Sequence, residues 1–219
     1  ALLETGLKEV SAVQGTVFLE PGQAIDQLYF PQSGMISLLV VTSDGGAIEA
    51  STIGKEGAVG LHGGLGERQS FTRASVQVSG RFSTIRARLF REVALGNADI
   101  REMIARYTEA LWAEAQQVAA CNAVHDVSSR LCRWLLQTAD RTNGDDLPLT
   151  QELLAQMLGV RRTSVTLLAQ ELQRKGLIKY SRGKIVILDR KGIEACACEC
   201  YGVIKYEKRP FDIVRDLER

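Results

Sequence analysis

The sequence predicts an α+β chain: an N-terminal double-stranded β-roll of jelly-roll type, a long dimerisation helix, and a C-terminal winged helix-turn-helix. Three observations predict it. Short runs rich in β-branched and aromatic residues recur between turn signals over the first part of the chain. A stretch without turn residues, Asp99 to Gln117, follows with apolar residues at helical spacing. Near the C-terminus two short amphipathic helical patterns flank a glycine, and two β-rich runs come after them. The corresponding boundaries are 1–96 for a sensor roll, 97–125 for the dimer helix and 126–219 for the winged-helix unit.

Residues Leu7 to about Arg88 read as β. The runs are Gly15–Leu19, Gln27–Phe30, Met35–Val41, Ala47–Ile53, Thr72–Val78 and Arg81–Arg86. Pro21-Gly22, Ser33-Gly34, Asp44-Gly45-Gly46 and Ser79-Gly80 separate them, and Asp44-Gly45-Gly46 between two alternating runs predicts a hairpin. Between Gly54 and Gly66 the pattern changes to GKEGAVGLHGGLG, with six glycines. A loop of this kind lets backbone N–H groups approach an anion, and Arg68 could pair with it. Gly57, Gly60, Leu61, Arg68 and Gln69 are therefore the candidate ligand-binding residues. A solvated surface loop is the competing reading.

Asn97 to about His125 reads as one helix, roughly 40 Å long at about 1.5 Å per residue. Ile104, Tyr107, Leu111, Ala115, Val118 and Asn122 fall at steps of 3 and 4, a coiled-coil-like seam that predicts a homodimer. Asp126 stands where it would cap a further helix, Val127 to Ala139, with Val127, Leu131, Leu135 and Trp134 inward. Trp112 and Trp134 are read as packing residues, and Arg141 to Asp146 as a loop.

Gln151 to Lys175 is the stretch on which function turns. Leu153, Leu154, Met157 and Leu158 make one apolar face, with Thr150 as N-cap, and Gly159 closes the helix where the chain must turn sharply. Val165, Leu168 and Leu172, with Leu167 as a further candidate, make the second apolar set. Arg161, Arg162, Thr163 and Thr166 then point away from the support at the start of the second helix. They carry hydrogen-bond donors, as a helix entering the major groove requires. An αα-hairpin without DNA contacts is the bland alternative. Gly176–Tyr180 and Ile185–Leu188 flank the turn Ser181-Arg182-Gly183-Lys184, completing a wing. Ser181, Arg182, Lys184 and Thr150 are candidates for the phosphate backbone.

Net charge is only +1 over 219 residues, but it is uneven. From Val127 onward there are 17 Lys and Arg against 12 Asp and Glu; before that, 10 against 14. A basic C-terminal part on an acidic N-terminal part suits a sensor joined to a nucleic-acid module. No apolar run approaches the roughly 20 residues of a membrane span, and the N-terminus has no basic-then-apolar leader, so a cytoplasmic protein without membrane contact is expected.

No catalytic residues are expected. There is no Ser-His-Asp grouping or nucleophile motif, and a metal-binding roll would need several histidines where this chain has only His62 and His125. The five cysteines are Cys121, Cys132, Cys196, Cys198 and Cys200; the odd number argues against a disulfide framework. Gly192 to Tyr206 reads as helix, on which residues two apart diverge, so only Cys196 and Cys200 could share a face. No metal site is therefore expected, and packing is the favoured role over redox or iron–sulfur chemistry.

In this order of parts, the chain resembles the bacterial Crp/Fnr transcription regulators. The motifs that carry the resemblance are LYFPQSGMISLL, TIGKEGAVGL with Arg68 downstream, and LTQELLAQMLGVRRTSVTLLAQELQRKGLIKYSRGKIVI. The resemblance implies a homodimer on a near-palindromic duplex, with RNA polymerase as a further partner and a small-molecule effector at the roll. It places Arg161, Arg162, Thr163 and Thr166 at base-reading positions. Cyclic-AMP-binding members have Glu where Leu61 follows Gly60, Ser where Gln69 follows Arg68, and a Thr-Ser pair near Ala115-Gln116, which implies a different effector here; its identity is unknown. Iron–sulfur members carry an N-terminal cysteine cluster, whereas residues 1–120 contain no cysteine. Thr163 replaces the usual Glu, so the target sequence is not transferable. A nucleotide-binding module acting through a protein partner is the alternative function.

Overall fold

The computed structural model describes residues 6–43, 45–61, 69–142, 144–181 and 183–208. Seven strands, β1 (Lys8–Ala12), β2 (Val17–Leu19), β3 (Gln27–Pro31), β4 (Met35–Val41), β5 (Ala47–Ile53), β6 (Arg73–Val78) and β7 (Gly80–Arg86), form two antiparallel sheets. Their orders are β1-β7-β3 and β2-β6-β4-β5. Each expected β run contains a strand, and β1 is an addition. Ile36 and Ile53 face each other across β4 and β5, both fully buried, as alternation on a half-buried sheet demands. The chain enters β4 through Gly34, at φ +81°, where a Cβ would lie 2.5 Å from the Val78 carbonyl. Only glycine fits there.

Helix α1 (Ala87–Leu95) begins as β7 ends and was not expected from the sequence. Ala87, Phe90 and Ala94 are buried in the core of the roll. Helix α2 (Ala98–Val124) follows, N-capped by Asn97, whose Oδ1 accepts from the Ile100 N–H at 3.0 Å. Its length matches the expectation, but the expected dimer seam does not face outward. Ile104, Tyr107, Leu111 and Val118 are buried in their own chain, the first three in the roll's core. A single chain uses the bulkiest face of the helix first, because that is where its own apolar area lies. The stripe left exposed is displaced by one residue: Ala105, Thr108, Trp112 and Ala119, with Ala115 and Asn122 half-buried. Trp112, expected to pack, is 66% exposed on it.

Helix α3 (Val127–Thr142) starts at Asp126, whose carboxylate accepts from the backbone N–H and hydroxyl of Ser129. It runs three residues beyond its expected end, so Arg141 is helical rather than in a loop. Strand β8 (Asp146–Leu147), also unexpected, then leads to α4 (Gln151–Leu158), α5 (Arg162–Arg174), β9 (Ile178–Ser181) and β10 (Lys184–Ile187). β8, β10 and β9 make the third sheet. The helix expected over 192–206 is broken into α6 (Arg190–Cys196) and α7 (Cys200–Lys208), with Ala197 extended at φ −76°, ψ 152°. No glycine or proline marks this break; packing of the following residues against the end of α2 goes with it.

The C-terminal helices share one core with the roll. Met35, Leu39 and Val78 from the sheets join Trp134, Leu135, Leu154, Met157 and Val165. A buried polar junction crosses the same boundary. Glu49 accepts from Ser37 Oγ and Trp134 Nε1, both at 2.6 Å. Arg141 reaches Glu56 at 2.9 Å and Glu114 at 3.0 Å. Burial pushes the Glu49 carboxyl up to about 7, although both hydrogen bonds oppose this.

Candidate nucleic-acid interface

The supporting helix α4 is built as its sequence dictates. Thr150 is its N-cap, with Oγ1 accepting from the Leu153 N–H at 3.2 Å. Leu154, Met157 and Leu158 are buried, and Leu153 packs at the edge of the same core. Gly159 ends the helix in the left-handed conformation, φ 64°, ψ 39°, and its N–H reaches back to Ala155 and Gln156. Two residues later Arg161 caps α5 by backbone alone, with no side-chain capping bond. Val165, Ala169 and Leu172 bury the inner face of α5, and Leu168 lies against it. Leu167, a candidate for that face, is 67% exposed instead; it lies between the inward positions 165 and 169 on the turn that looks outward.

Arg161, Arg162 and Thr163 are exposed at the leading end of α5, and no acidic residue occupies its first turn. That end carries the partial positive charge of the helix, with two guanidinium groups beside it. Thr166 differs from them. Its hydroxyl is within hydrogen-bond range of Gln151 Oε1 at 2.8 Å and the Arg162 carbonyl at 3.0 Å, tying α5 to α4. Thr150 is likewise engaged in capping.

The wing is a two-stranded turn in which Ser181 pairs with Lys184. Gly183 takes φ +79°, and its Cβ position would meet Thr150 Cγ2 at 3.3 Å, so the wing base sits beside the start of α4. Ser181 and Lys184 are exposed. Lys184 pairs with Asp146 at 2.6 Å, an exposed contact that a phosphate can displace. Arg182 lies outside the described residues. Thus Thr150, Ser181 and Lys184 lie near one end of α4, with Arg161 and Arg162 leading the adjacent α5.

The candidate ligand residues are less unified. Gly57 has a packing reason: a Cβ there would lie 2.0 Å from the Tyr107 hydroxyl of α2. That hydroxyl accepts from the Ala58 N–H at 3.2 Å. Gly60, at φ +87°, lies against Ile25 and the Gln27 carbonyl, and Leu61 is buried in the roll. Gln69 bridges to Ala24 through the backbone. Arg68 and His62 fall outside the described residues.

Residues 129–196 match the Crp-like helix-turn-helix domain. The chain is similar in this domain to the Crp/Fnr transcription regulators. It is 27% identical to the transcriptional regulator SdrP of Thermus thermophilus over 197 residues, covering 86% of this chain and 93% of that protein. In fold it is similar to a Crp/Fnr-family regulator from Eubacterium rectale, with TM-score 0.72 and 20% identity, over 89% of this chain and 91% of that one. FixK2 from Bradyrhizobium japonicum superimposes with TM-score 0.75 at 13% identity, over 88% and 98%. No helix among the described residues is long and apolar enough to cross a membrane.

Sequence reasoning missed two constellations. One is the Glu49–Trp134 and Arg141–Glu56–Glu114 junction, whose members are 27 to 85 residues apart. The other joins Cys121, His125, Cys198 and Cys200. The pattern Cys-X-X-X-His at 121–125 was the available signal for the second.

Proposed function

We propose that this chain is a transcription regulator that binds a near-palindromic DNA site as a homodimer, with the leading end of α5 in the major groove and the wing on the phosphate backbone. The observation that carries the reading is the exposed Arg161-Arg162-Thr163 end of α5, with no carboxylate in its first turn. Guanine offers two acceptors to such an arginine, whereas a phosphate takes any cation. Pairing uses the outward stripe of α2 centred on Trp112, since Ala105, Thr108, Trp112, Ala115, Ala119 and Asn122 follow the 3–4 spacing of a helix seam. Two α5 helices then sit about 34 Å apart, one turn of B-DNA. The protein works in the cytoplasm, where RNA polymerase is a further partner. An effector other than cyclic AMP acts at the roll by binding one arrangement of the α5 pair more tightly than the other.

Selection of bound sites from random DNA, followed by gel shifts on the selected duplex, tests the reading. Arg162→Ala is expected to lower specific affinity by about 1–3 kcal/mol and relax one base position in each half-site. Lys184→Ala weakens specific and random duplexes alike. Equal losses on both DNAs for both variants would contradict the assignment. Trp112→Glu is expected to yield monomers in sedimentation equilibrium, and a variant that remains dimeric refutes the α2 seam.

A further inference from the structure

The C-terminal end of α2 and the break between α6 and α7 bring together four groups of one chemical kind. Cys121 and His125 are one helical turn apart on α2, with His125 as its C-cap. Cys198 lies in the break and Cys200 opens α7. The Sγ atoms and a ring nitrogen of His125 all fall within 4.8 Å of one another. Cys121 Sγ and Cys198 Sγ are 3.5 Å apart, and Cys200 Sγ lies 3.6 Å from His125 Nδ1. A tetrahedral zinc ion, with bonds of about 2.3 Å to sulfur and about 2.0 Å to nitrogen, sets its ligands about 3.5–3.8 Å apart. The two measured edges match that solid to within a few tenths of an ångström.

We propose that Cys121, His125, Cys198 and Cys200 form a Cys3His site for a single thiophilic divalent cation, of which zinc is the best chemical fit. The three cysteines are buried and form a small cluster apart from the two main cores. A packing role alone would call for no histidine at its edge, and no second layer of polar contacts. Both are present. His125 presents Nδ1 to the cluster while Nε2 meets the Glu199 carboxylate at 3.1 Å, the orienting contact that metal-bound histidines use. Gln117 Nε2 donates to Cys200 Sγ at 3.0 Å, a bond that favours thiolate.

Charge balance points the same way. Three thiolates and one divalent cation leave a net charge of about −1. Arg130 and Arg133 of α3 are buried, and among the described residues neither forms an ion pair with a carboxylate. Both act electrostatically on Cys121. The close mutual spacing fits one ion better than a multi-iron cluster, whose ligands surround a larger body of irons and sulfides. Binding would release the remaining thiol protons to solvent, with no change of oxidation state. The ion would join the end of the long helix to the last helical pair, whether or not that pair serves DNA binding.

Metal analysis of the full-length protein, purified under reducing conditions, is expected to give about one zinc per chain. Replacement by cobalt(II) should give the intense visible bands of tetrahedral cobalt and thiolate-to-cobalt charge transfer in the near ultraviolet. Cys121→Ser and Cys198→Ser should lose both signals, while Cys196→Ser, outside the cluster, keeps them. Glu199→Ala, an exposed substitution that removes no ligand, should weaken zinc affinity about 10–100-fold. Reduced wild-type protein with neither zinc nor a tetrahedral cobalt spectrum overturns the proposal. So does undiminished binding in folded Cys198→Ser protein, or recovery of iron with acid-labile sulfide.

Discussion

Two junctions fasten the C-terminal helices to the rest of the molecule, and they do so by opposite chemistry. At the roll, Glu49, Glu56 and Glu114 meet Trp134 and Arg141 of α3. At the far end of α2, Cys121 and His125 meet Cys198 and Cys200. In the first, acids face a cation and hydrogen-bond donors supplied by the chain itself. In the second, all four groups are electron-pair donors, which can share only protons or a cation. The first is therefore a fixed structural contact, and the second is one whose strength a metal ion can set. The contrast also separates burial from stability: the roll junction is deeply buried, yet burial itself raises the Glu49 pKa and makes that junction pH-sensitive.

The largest expected effect comes from breaking the roll junction. Arg141→Leu leaves Glu56 and Glu114 buried without their guanidinium, and should lower stability by about 3–5 kcal/mol in urea titration. Its metal content should stay that of the wild type if the two junctions are independent. Next comes pH. The folded-state pKa of Glu49 lies above its ordinary value, so the native state holds the extra proton. Its stabilising contribution is full below the ordinary carboxylate pKa and is lost as pH rises toward and through about 7. Glu49→Gln should remove up to about 3 kcal/mol of that decline, measured by denaturation at a series of pH values. A Gln variant with an unchanged slope assigns the pH dependence elsewhere.

Zinc acts on the other junction by mass action. Free zinc at about 100 times its dissociation constant should add roughly 2.7 kcal/mol to wild-type stability, reversed by a chelator. Cys198→Ser should abolish that increment, read as the shift in melting temperature. An equal shift in the variant would place the stabilising ion elsewhere. The smallest effect is expected at the wing. Lys184→Ala removes only an exposed pair with Asp146, and should change stability by less than about 1 kcal/mol while lowering affinity for all DNA.

Local chemistry carried much of the reading. Gly159 between two amphipathic patterns, Thr150 and Asp126 as caps, and the alternating runs of β4 and β5 each encode their conformation within a few residues. Such signals need no knowledge of what lies across the core. Where two local readings competed, the sequence went astray. Helix α2 has two apolar stripes one residue apart, and its periodicity does not say which one the roll will cover. The helix expected over 192–206 likewise shows no local sign of its break at Ala197.

The sequence by itself determined the order of the parts, the turn of the helix-turn-helix and the exposed arginines that lead α5, because spacing and backbone preference act over one or two turns. Tertiary structure alone decided that α6 and α7 would part at Ala197, that Arg141 would find two glutamates, and that cysteines 77 residues apart would meet. Those outcomes depend on which surfaces exclude water together, and a linear pattern records what each surface is without recording what it will face.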